Sequence, residues 1–474
     1  MEAKEIICPY CFDKFKDSEV HFRMETVFSL EEDCDPDGLG RNLREIEDTG
    51  DGELMHEYNL RLAFLADDER DQKYLDFWDR YGGTTEKSSS SRDRLDSISP
   101  YSRAVFDPFD PNESDYFISD PLEFRDGFVV SATDCFGKKT ERRVCPSCHN
   151  PLPGLYGKSP VKFISVIGRA GSGKTVYITQ LCNNIRGLFA KMGITAYTIN
   201  TAAMEFIKAH KIAVHERLFE GSPPMAFEQP MYFDLIFTEN GESKINTMVI
   251  YDIAGENCVD PVKMKNFGPF IQHSSGIIYI VDPQQFSGSA DEMVEVTEAI
   301  YNSFGSTEQE SIPFAVCISK GDTAISQQIF GEQGLPEMTY LKDHTNMGTR
   351  LFNAVAYNDV QEKLREFFEE YAYVLRTSLI NRFSIYNYFI FSATGTAAKQ
   401  ETGEDGVRYQ VFREIPQAIR IDEPVFWLLY QLGYIKASGP INPPVKLIQS
   451  IEREVETSKK PSFLGRLFAK RELK

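Results

Sequence analysis

Gly168-Arg169-Ala170-Gly171-Ser172-Gly173-Lys174-Thr175 is the stretch on which the reading of this chain turns. It satisfies G-x-x-x-x-G-K-[ST], a pattern whose backbone amides cradle phosphate groups. Residues 161–167 before it are apolar and β-branched, as a buried strand is. Residues 176–188 after it carry Val176, Ile178, Leu181, Ile185 and Leu188 and read as a helix. A loop between a strand and a helix aims its amides at an anion held at the positive end of the helix. Gly171 and Gly173 let the backbone turn tightly and come close to that anion. The candidate nucleotide contacts here are Gly168, Ala170, Gly171, Ser172, Gly173, Lys174, Thr175 and Val176. Lys174 is expected to reach the β- and γ-phosphates and Thr175 to hold Mg²⁺. Without a ligand, Lys174 is expected to face solvent.

Outward from this loop, strands alternate with helices. Strands are expected at 194–198, 232–237, 247–251, 276–281, 314–318 and 387–391, with helices at 202–219, 290–303, 357–377 and 423–432. The long helix at 357–377 is read as one element with Val360, Leu364, Phe367, Phe368, Tyr371 and Val374 on its apolar face. The alternation predicts an α/β fold: a mostly parallel sheet with helices on both faces.

Three of the expected strands end in short polar motifs. Asp252-Ile253-Ala254-Gly255-Glu256 follows one, Ser319-Lys320-Gly321-Asp322 another, and Ser392-Ala393 the last. The P-loop and these three, in this order and each at a strand end, resemble Ras-like (TRAFAC-class) P-loop GTPases over roughly residues 160–436. The resemblance implies GTP/GDP and Mg²⁺ as ligands. It implies that Asp252 joins Thr175 at Mg²⁺, that the Gly255 amide meets the γ-phosphate, and that Asp322 accepts from guanine N1–H and the 2-amino group. Lys320 would lay its stem along the base, Ala393 would donate its amide to the guanine carbonyl, and Ser319 and Ser392 would line the same pocket. Ser319 stands where the family more often has Asn or Thr. Glu256 stands where a Gln often orients the attacking water; it is the candidate catalytic group, or simply a charged residue of a mobile switch. The family's switch-one Thr is missing: no Thr lies between Thr201 and Thr238, and only Ser222 in the loop 220–226 could take its place. Arg169 is near enough to the phosphates to be considered as an arginine finger. Slow intrinsic turnover is therefore expected.

Two further pairs of residues carry chemistry. Cys8-Pro9-Tyr10-Cys11 and Cys145-Pro146-Ser147-Cys148 are both C-P-x-C. Such a pair can present two thiolates to one metal, and Cys8, Cys11, Cys145 and Cys148 together would make a closed structural Zn²⁺ site. The usual gap between such pairs is roughly 15–20 residues, whereas 133 residues intervene here. Loop-closure entropy grows slowly enough for a ribbon to carry such an insertion. Segments 20–23 and 127–130 are candidate strands of the two ribbon halves. The alternatives are two free thiol pairs or a redox C-x-x-C. Adjacent His149 is left out of the ligand set, and Cys34, Cys135, Cys182, Cys258 and Cys317 read as buried or free thiols. The cysteine pairs ahead of the P-loop also resemble the zinc-ribbon form of the bacterial double-GTPase group. That resemblance implies a partner protein, another GTPase among the candidates, in paired systems linked to stress or conflict with mobile elements.

These signals divide the chain into a split zinc ribbon (1–25 and 128–156), an acidic, partly disordered insertion (26–127), a GTPase domain (160–436) and a C-terminal extension (437–474). The insertion holds 27 Asp and Glu against 11 Lys and Arg, so −16 of the chain's net charge of −20 sits there. Residues 86–92 look disordered, whereas 53–78 have helical spacing in Leu54, Tyr58, Leu62 and Leu65, with Leu75, Phe77 and Trp78 as anchors. A solvated spacer and an acidic docking surface both fit. The tail from Lys459 has six basic residues and one acidic, with Phe463, Leu464, Leu467 and Phe468 on one helical face. It could touch anionic membrane or the acidic insertion, or be a frayed terminus.

Composition sets the outer limits. The 474 residues suffice for two or three domains, and 42% hydrophobic content builds a core. The acidic balance argues against a surface that attracts nucleic acid as a whole. No run of 18 apolar residues predicts a membrane span. The charged start reads as no secretory signal, so a reducing, cytoplasmic setting is expected.

Overall fold

In the computed structural model the described residues are 5–25, 50, 52, 55–56, 59, 71–80, 104–210, 229–239, 241–288, 290–304, 311–336, 351–352, 354–396, 399–402, 408–412 and 415–441. The helical spacing over Leu54–Leu65, the low-complexity run 86–92, Cys34, the end of the helix expected at 202–219, the loop around Ser222 and the basic tail lie outside them. By main-chain contacts the chain divides into two units. One holds Met1–Phe163, Thr195–Ala209 and Ser222–Tyr251; the other holds Ile164–Ile194, His210–Gly221 and Asp252–Lys474.

In the first unit, short strands frame the cysteine pairs. β1 (Glu5–Ile7) and β2 (Lys14–Lys16) form a hairpin. β3 (His21–Arg23) is flanked by β4 (Val105–Phe106) and β8 (Arg143–Val144), both antiparallel to it. β5 (Phe117–Arg125), β6 (Phe128–Asp134) and β7 (Lys139–Thr140) make a separate antiparallel sheet. The strands expected at 20–23 and 127–130 therefore form, but in two different sheets. β4 and β5 come from the segment read as an insertion, so that part of it forms strands. Also from it comes α1 (Gln72–Asp79), begun by Asp71, whose side chain accepts from Tyr74 N. An Asp in that position satisfies one of the orphan amides of the first turn.

The expected α/β core is present as one seven-stranded sheet, ordered β10-β11-β12-β9-β13-β14-β16. Its strands are β9 (Val161–Gly168), β10 (Thr195–Thr198), β11 (Met231–Glu239), β12 (Glu242–Ala254), β13 (Gly276–Val281), β14 (Phe314–Ile318) and β16 (Tyr386–Ile390). β9, β13, β14 and β16 pair in parallel, whereas β10, β11 and β12 pair antiparallel. All six residues of β13 are buried, as befits a central strand covered on both faces. Small pairs add to this: β15 (Leu351–Phe352) with β19 (Lys436–Ala437), and β17 (Lys399–Thr402) with β18 (Arg408–Val411). β12 is longer than expected because Gly241, at φ 83°, turns the chain and lets β11 and β12 zip from Glu239–Glu242 inward.

Among the described residues, the further helices of five residues or more are α2 (Lys174–Lys191), α3 (Thr201–Ala209), α4 (Gly255–Val259), α5 (Pro261–Gln272), α6 (Ala290–Phe304), α7 (Ala324–Phe330), α8 (Ala354–Tyr371), α9 (Tyr373–Arg382) and α10 (Glu423–Gln431). α2 buries Tyr177, Ile178, Leu181, Ile185 and Phe189, the aliphatic and Phe side chains gaining about 1.5–3 kcal/mol each. Tyr177 packs on Phe391 and Phe189 on Phe426. The single helix expected at 357–377 is corrected to two, α8 and α9, broken at Ala372 (φ −134°, ψ 40°). The break moves the buried face: Leu364, Phe367 and Phe368 are buried in α8 and Leu375 and Leu379 in α9, leaving Tyr371 and Val374 exposed. Among the described residues, no helix is long and apolar enough to cross a membrane.

Candidate functional site

The second unit brings the expected phosphate loop and its companion motifs together. β9 ends at Gly168, and α2 starts at Lys174 from Gly173, which is in the left-handed region. Gly171 and Gly173, at φ 78° and 83°, are the two positions where the loop needs glycine. Ser172 N donates to Arg169 O at 3.1 Å and Tyr177 N to Gly173 O at 2.9 Å, so the loop closes on itself before the helix. Ser172 is buried, and Thr175 and Val176 are half-buried in the first turn of α2.

Gly255 opens α4 directly against the loop. A Cβ there would lie 3.2 Å from Arg169 N and 3.2 Å from Gly168 C. The Asp252–Gly255 segment and Gly168–Arg169 thus meet backbone to backbone. Lys174 is not solvent-facing as expected: its ammonium forms an ion pair with Asp252, and both side chains are largely buried. The cause is local, since Asp252 is near the end of β12 in the same unit and a buried carboxylate needs a cation. Glu256 turns back on the loop, its Oε1 accepting from Ala170 N at 2.5 Å. Arg169 is turned to Glu292 of α6, with 2.7 Å between Nη1 and Oε2.

The purine-side motifs also meet. Ser319 is buried, its amide and hydroxyl donating to Val281 O, and its Cβ lies 3.9 Å from where a Gly173 Cβ would be. Asp322 accepts from Ser392 Oγ at 2.5 Å, and Ser392 Oγ in turn accepts from Gly395 N at 2.8 Å. Gly321 N donates to Phe391 O, which ties the two loops at their bases. Ala393 is buried beside them. Lys320, at φ 53°, donates from Nζ to Asp282 Oδ2 at 2.5 Å. Asp282, the residue after β13, was given no role by the sequence, although its place at a strand end matches that of the other motif residues. Behind Ser392, Ile419 pairs with it in both directions, and the chain then enters a buried cluster of Arg420, Asp422 and Glu423 at the start of α10. Arg420 forms an ion pair with Glu423. Burial pushes Glu423 up to about 7 and Asp422 up to about 6, against the opposing charges of Arg420 and, for Asp422, of Lys191.

In the first unit the four predicted cysteines converge, with all four Sγ atoms within 4.8 Å of one another. Cys8–Cys148 and Cys11–Cys145 are each 3.7 Å apart. A tetrahedron with Zn–S bonds of about 2.3 Å has edges of about 3.8 Å, so the sulfurs fit that ion. The two pairs share one local geometry. Tyr10 N donates to Cys8 Sγ and Ser147 N to Cys145 Sγ, both at 3.4 Å. Phe12 N returns to Cys8 O and His149 N to Cys145 O, and Phe12 and His149 both take positive φ. Neighbouring thiols, Cys11 first, push Cys145 well below the usual thiol range, whereas burial pushes Cys8 up. His149 stays outside the sulfur group; its Nδ1 lies 2.8 Å from Asp71 Oδ1. Burial would raise Asp71, but His149 and Arg23 outweigh it and hold its pKa down. Arg143 is buried against Asp17 and Tyr156 O. Cys182, Cys258 and Cys317 are buried thiols, and Cys135 is partly buried.

No protein-family model matches the chain, and no curated protein does. A solved structure described as "crystal structure of SsGBP and GDP complex" overlays with a TM-score of 0.22 at 12% identity, covering 58% of this chain. This chain spans about half of that one, 50%. At that score the overlay lends nothing to the reading of the site.

Proposed function

We propose that this chain is a guanine-nucleotide switch: it binds GTP with Mg²⁺ and hydrolyses it slowly. The observation that carries this is the convergence, within one unit, of the loop Gly168–Thr175 with Asp252–Glu256, Ser319–Asp322 and Ser392–Ala393. In this reading the GTPase domain is 160–436. Loop amides from Gly168 to Val176 and Lys174 hold the phosphates, and Thr175 and Asp252 hold Mg²⁺, which supplies charge neutralisation at the phosphates. Gly255 offers its amide to the γ-phosphate. Asp322, oriented by Ser392, accepts the two donors of guanine, and Ser319, Lys320 and Ala393 complete the base pocket. Glu256 acts on the attacking water after leaving Ala170 N.

The four-cysteine group, in the split ribbon 1–25 and 128–156, would hold one structural Zn²⁺. A protein partner, another GTPase by the resemblance stated above, receives the signal.

A second reading, a nucleotide-binding scaffold with little hydrolysis, is favoured by the Glu256–Ala170 contact, which ties up the candidate catalytic carboxylate. Nucleotide analysis of the purified protein, with affinities and turnover for GTP and ATP, tests both. Preference for ATP, or no nucleotide binding, overturns the switch. GTP binding without turnover leaves the scaffold.

A further inference from the structure

The wall of the four-cysteine group comes from an unexpected part of the chain. α1, from the acidic segment between the two cysteine pairs, packs on both of them. Lys73 Nζ donates to Pro146 O at 3.0 Å. The Tyr10 ring meets Phe77 and Trp78 edge-on at 5.8 and 6.2 Å. Asp71, at the start of α1, holds Arg23 and His149. Trp78 and Asn150 are fully buried there.

Between α1 and the sulfurs runs a directed chain of hydrogen bonds. Trp78 Nε1 donates to Asn150 Oδ1 at 3.0 Å, and Asn150 Nδ2 donates to Cys148 Sγ at 3.4 Å. An indole N–H can only donate, so it fixes which end of the amide is oxygen. The amide NH₂ is thereby turned to the sulfur. A donor at that sulfur stabilises the thiolate that a metal needs.

We infer that Asn150 and Trp78 are positioning residues for the metal held by Cys8, Cys11, Cys145 and Cys148, and that docking of α1 and metal occupancy are linked. The inference rests on the metal reading of the four cysteines. Linkage is reciprocal: whatever draws α1 away loosens the metal, and loss of the metal loosens α1. The acidic segment is then anchored by the metal site rather than merely inserted into it.

The test uses the full chain. It has two tryptophans, so Trp427→Phe leaves Trp78 as the reporter. Zinc affinity is measured by competition with a chromophoric chelator in this background and with Asn150→Leu added. Trp78→Phe, which keeps the ring packing and loses the donor, is compared with wild type. Outer-shell partners of metal ligands typically contribute 10–100-fold to affinity, so both variants are expected to lose about tenfold or more. Chelation is expected to shift Trp78 emission to the red, and zinc to restore it. In cobalt-loaded protein, Asn150→Leu is expected to move the thiolate-to-cobalt charge-transfer band to lower energy, a change that a purely packing role would not produce. Unchanged affinity in both variants, or Trp78 emission blind to chelation, or an unmoved cobalt band, overturns the inference. A wild-type protein that takes up no zinc overturns the metal reading itself, and is distinguished by that from a failure of the positioning role alone.

Discussion

The four cysteines meet across 133 intervening residues, whereas the phosphate loop is eight consecutive residues set by one strand and one helix. The long closure costs about 2 kcal/mol more than one of 15–20 residues would. A structural zinc supplies about 10–16 kcal/mol in isolated peptides, so the insertion is a minor expense for such a site. The phosphate loop needs no such ligand to keep its shape. Its glycines, its closing hydrogen bonds and the acids around it already fix it. On the proposed reading, one region would stand or fall with its ligand, and the other would be built before its ligand arrives.

The sharpest way to break this contrast is Cys145→Ser. Zinc content is expected to fall from one per chain to well below it, and the melting temperature of the first unit to drop, with GTP affinity kept. Full zinc content in the variant would end the reading of the four cysteines as one metal site.

Next in size is Lys174→Ala. It should abolish measurable GTP binding. It also leaves the buried Asp252 carboxylate without its cation, a loss of about 3 kcal/mol. The fold should survive, and adding Asp252→Asn should recover much of that stability but no binding. GTP affinity equal to wild type in Lys174→Ala would refute the loop assignment.

Asp322→Asn probes the same preformed region through the base. One acceptor oxygen becomes a donor facing the guanine amine, which suits the carbonyl of xanthine instead. A loss of about 1–3 kcal/mol for GTP and a gain for XTP are expected in competition titrations. An unmoved order among GTP, ATP and XTP counts against guanine recognition.

The smallest effect is in pH, and the two regions should differ in sign. Asp71 is held below its unfolded value, so its contribution is present above about pH 4 and lost as pH falls. Glu423 and Asp422 are raised, to about 7 and 6. Their contribution is full below the unfolded value near 4 and is lost as pH rises toward 7. Glu423→Gln should therefore gain on wild type by about 2 kcal/mol as pH rises from 5 to 8, read as a difference in denaturant midpoints. A pH-independent difference would show that Arg420 keeps Glu423 ionised throughout.

The parts legible in the sequence were those that repeat or run on locally. The strand 161–167, the loop after it and the apolar helix spacing of 176–188 announce themselves because neighbours in sequence are neighbours in space. So do the C-P-x-C pairs. What escaped was pairing over distance. Nothing periodic marks Asp71 as the partner of Arg23 and His149, Trp78 as the partner of Asn150, or Asp282 as the partner of Lys320. The break at Ala372 escaped for the opposite reason. Apolar residues continue through it at helical spacing, and only the burial of Leu375 and Leu379 in place of Val374 reveals the shift.

The Glu256–Ala170 contact has one more consequence. The loop's amide and its lysine already hold anions of the chain's own, the carboxylates of Glu256 and Asp252. A nucleotide would therefore enter by exchange, one anion displacing another, and its apparent affinity would be reduced by the strength of the incumbents. Glu256 is in the first turn of α4, which leads within four residues to Asp260, and Asp260 caps α5 by accepting from Val262 N and Lys263 N. Were a phosphate to evict the incumbent, the displacement would fall at the root of a twelve-residue helix, and α5 would be the element to carry it outward.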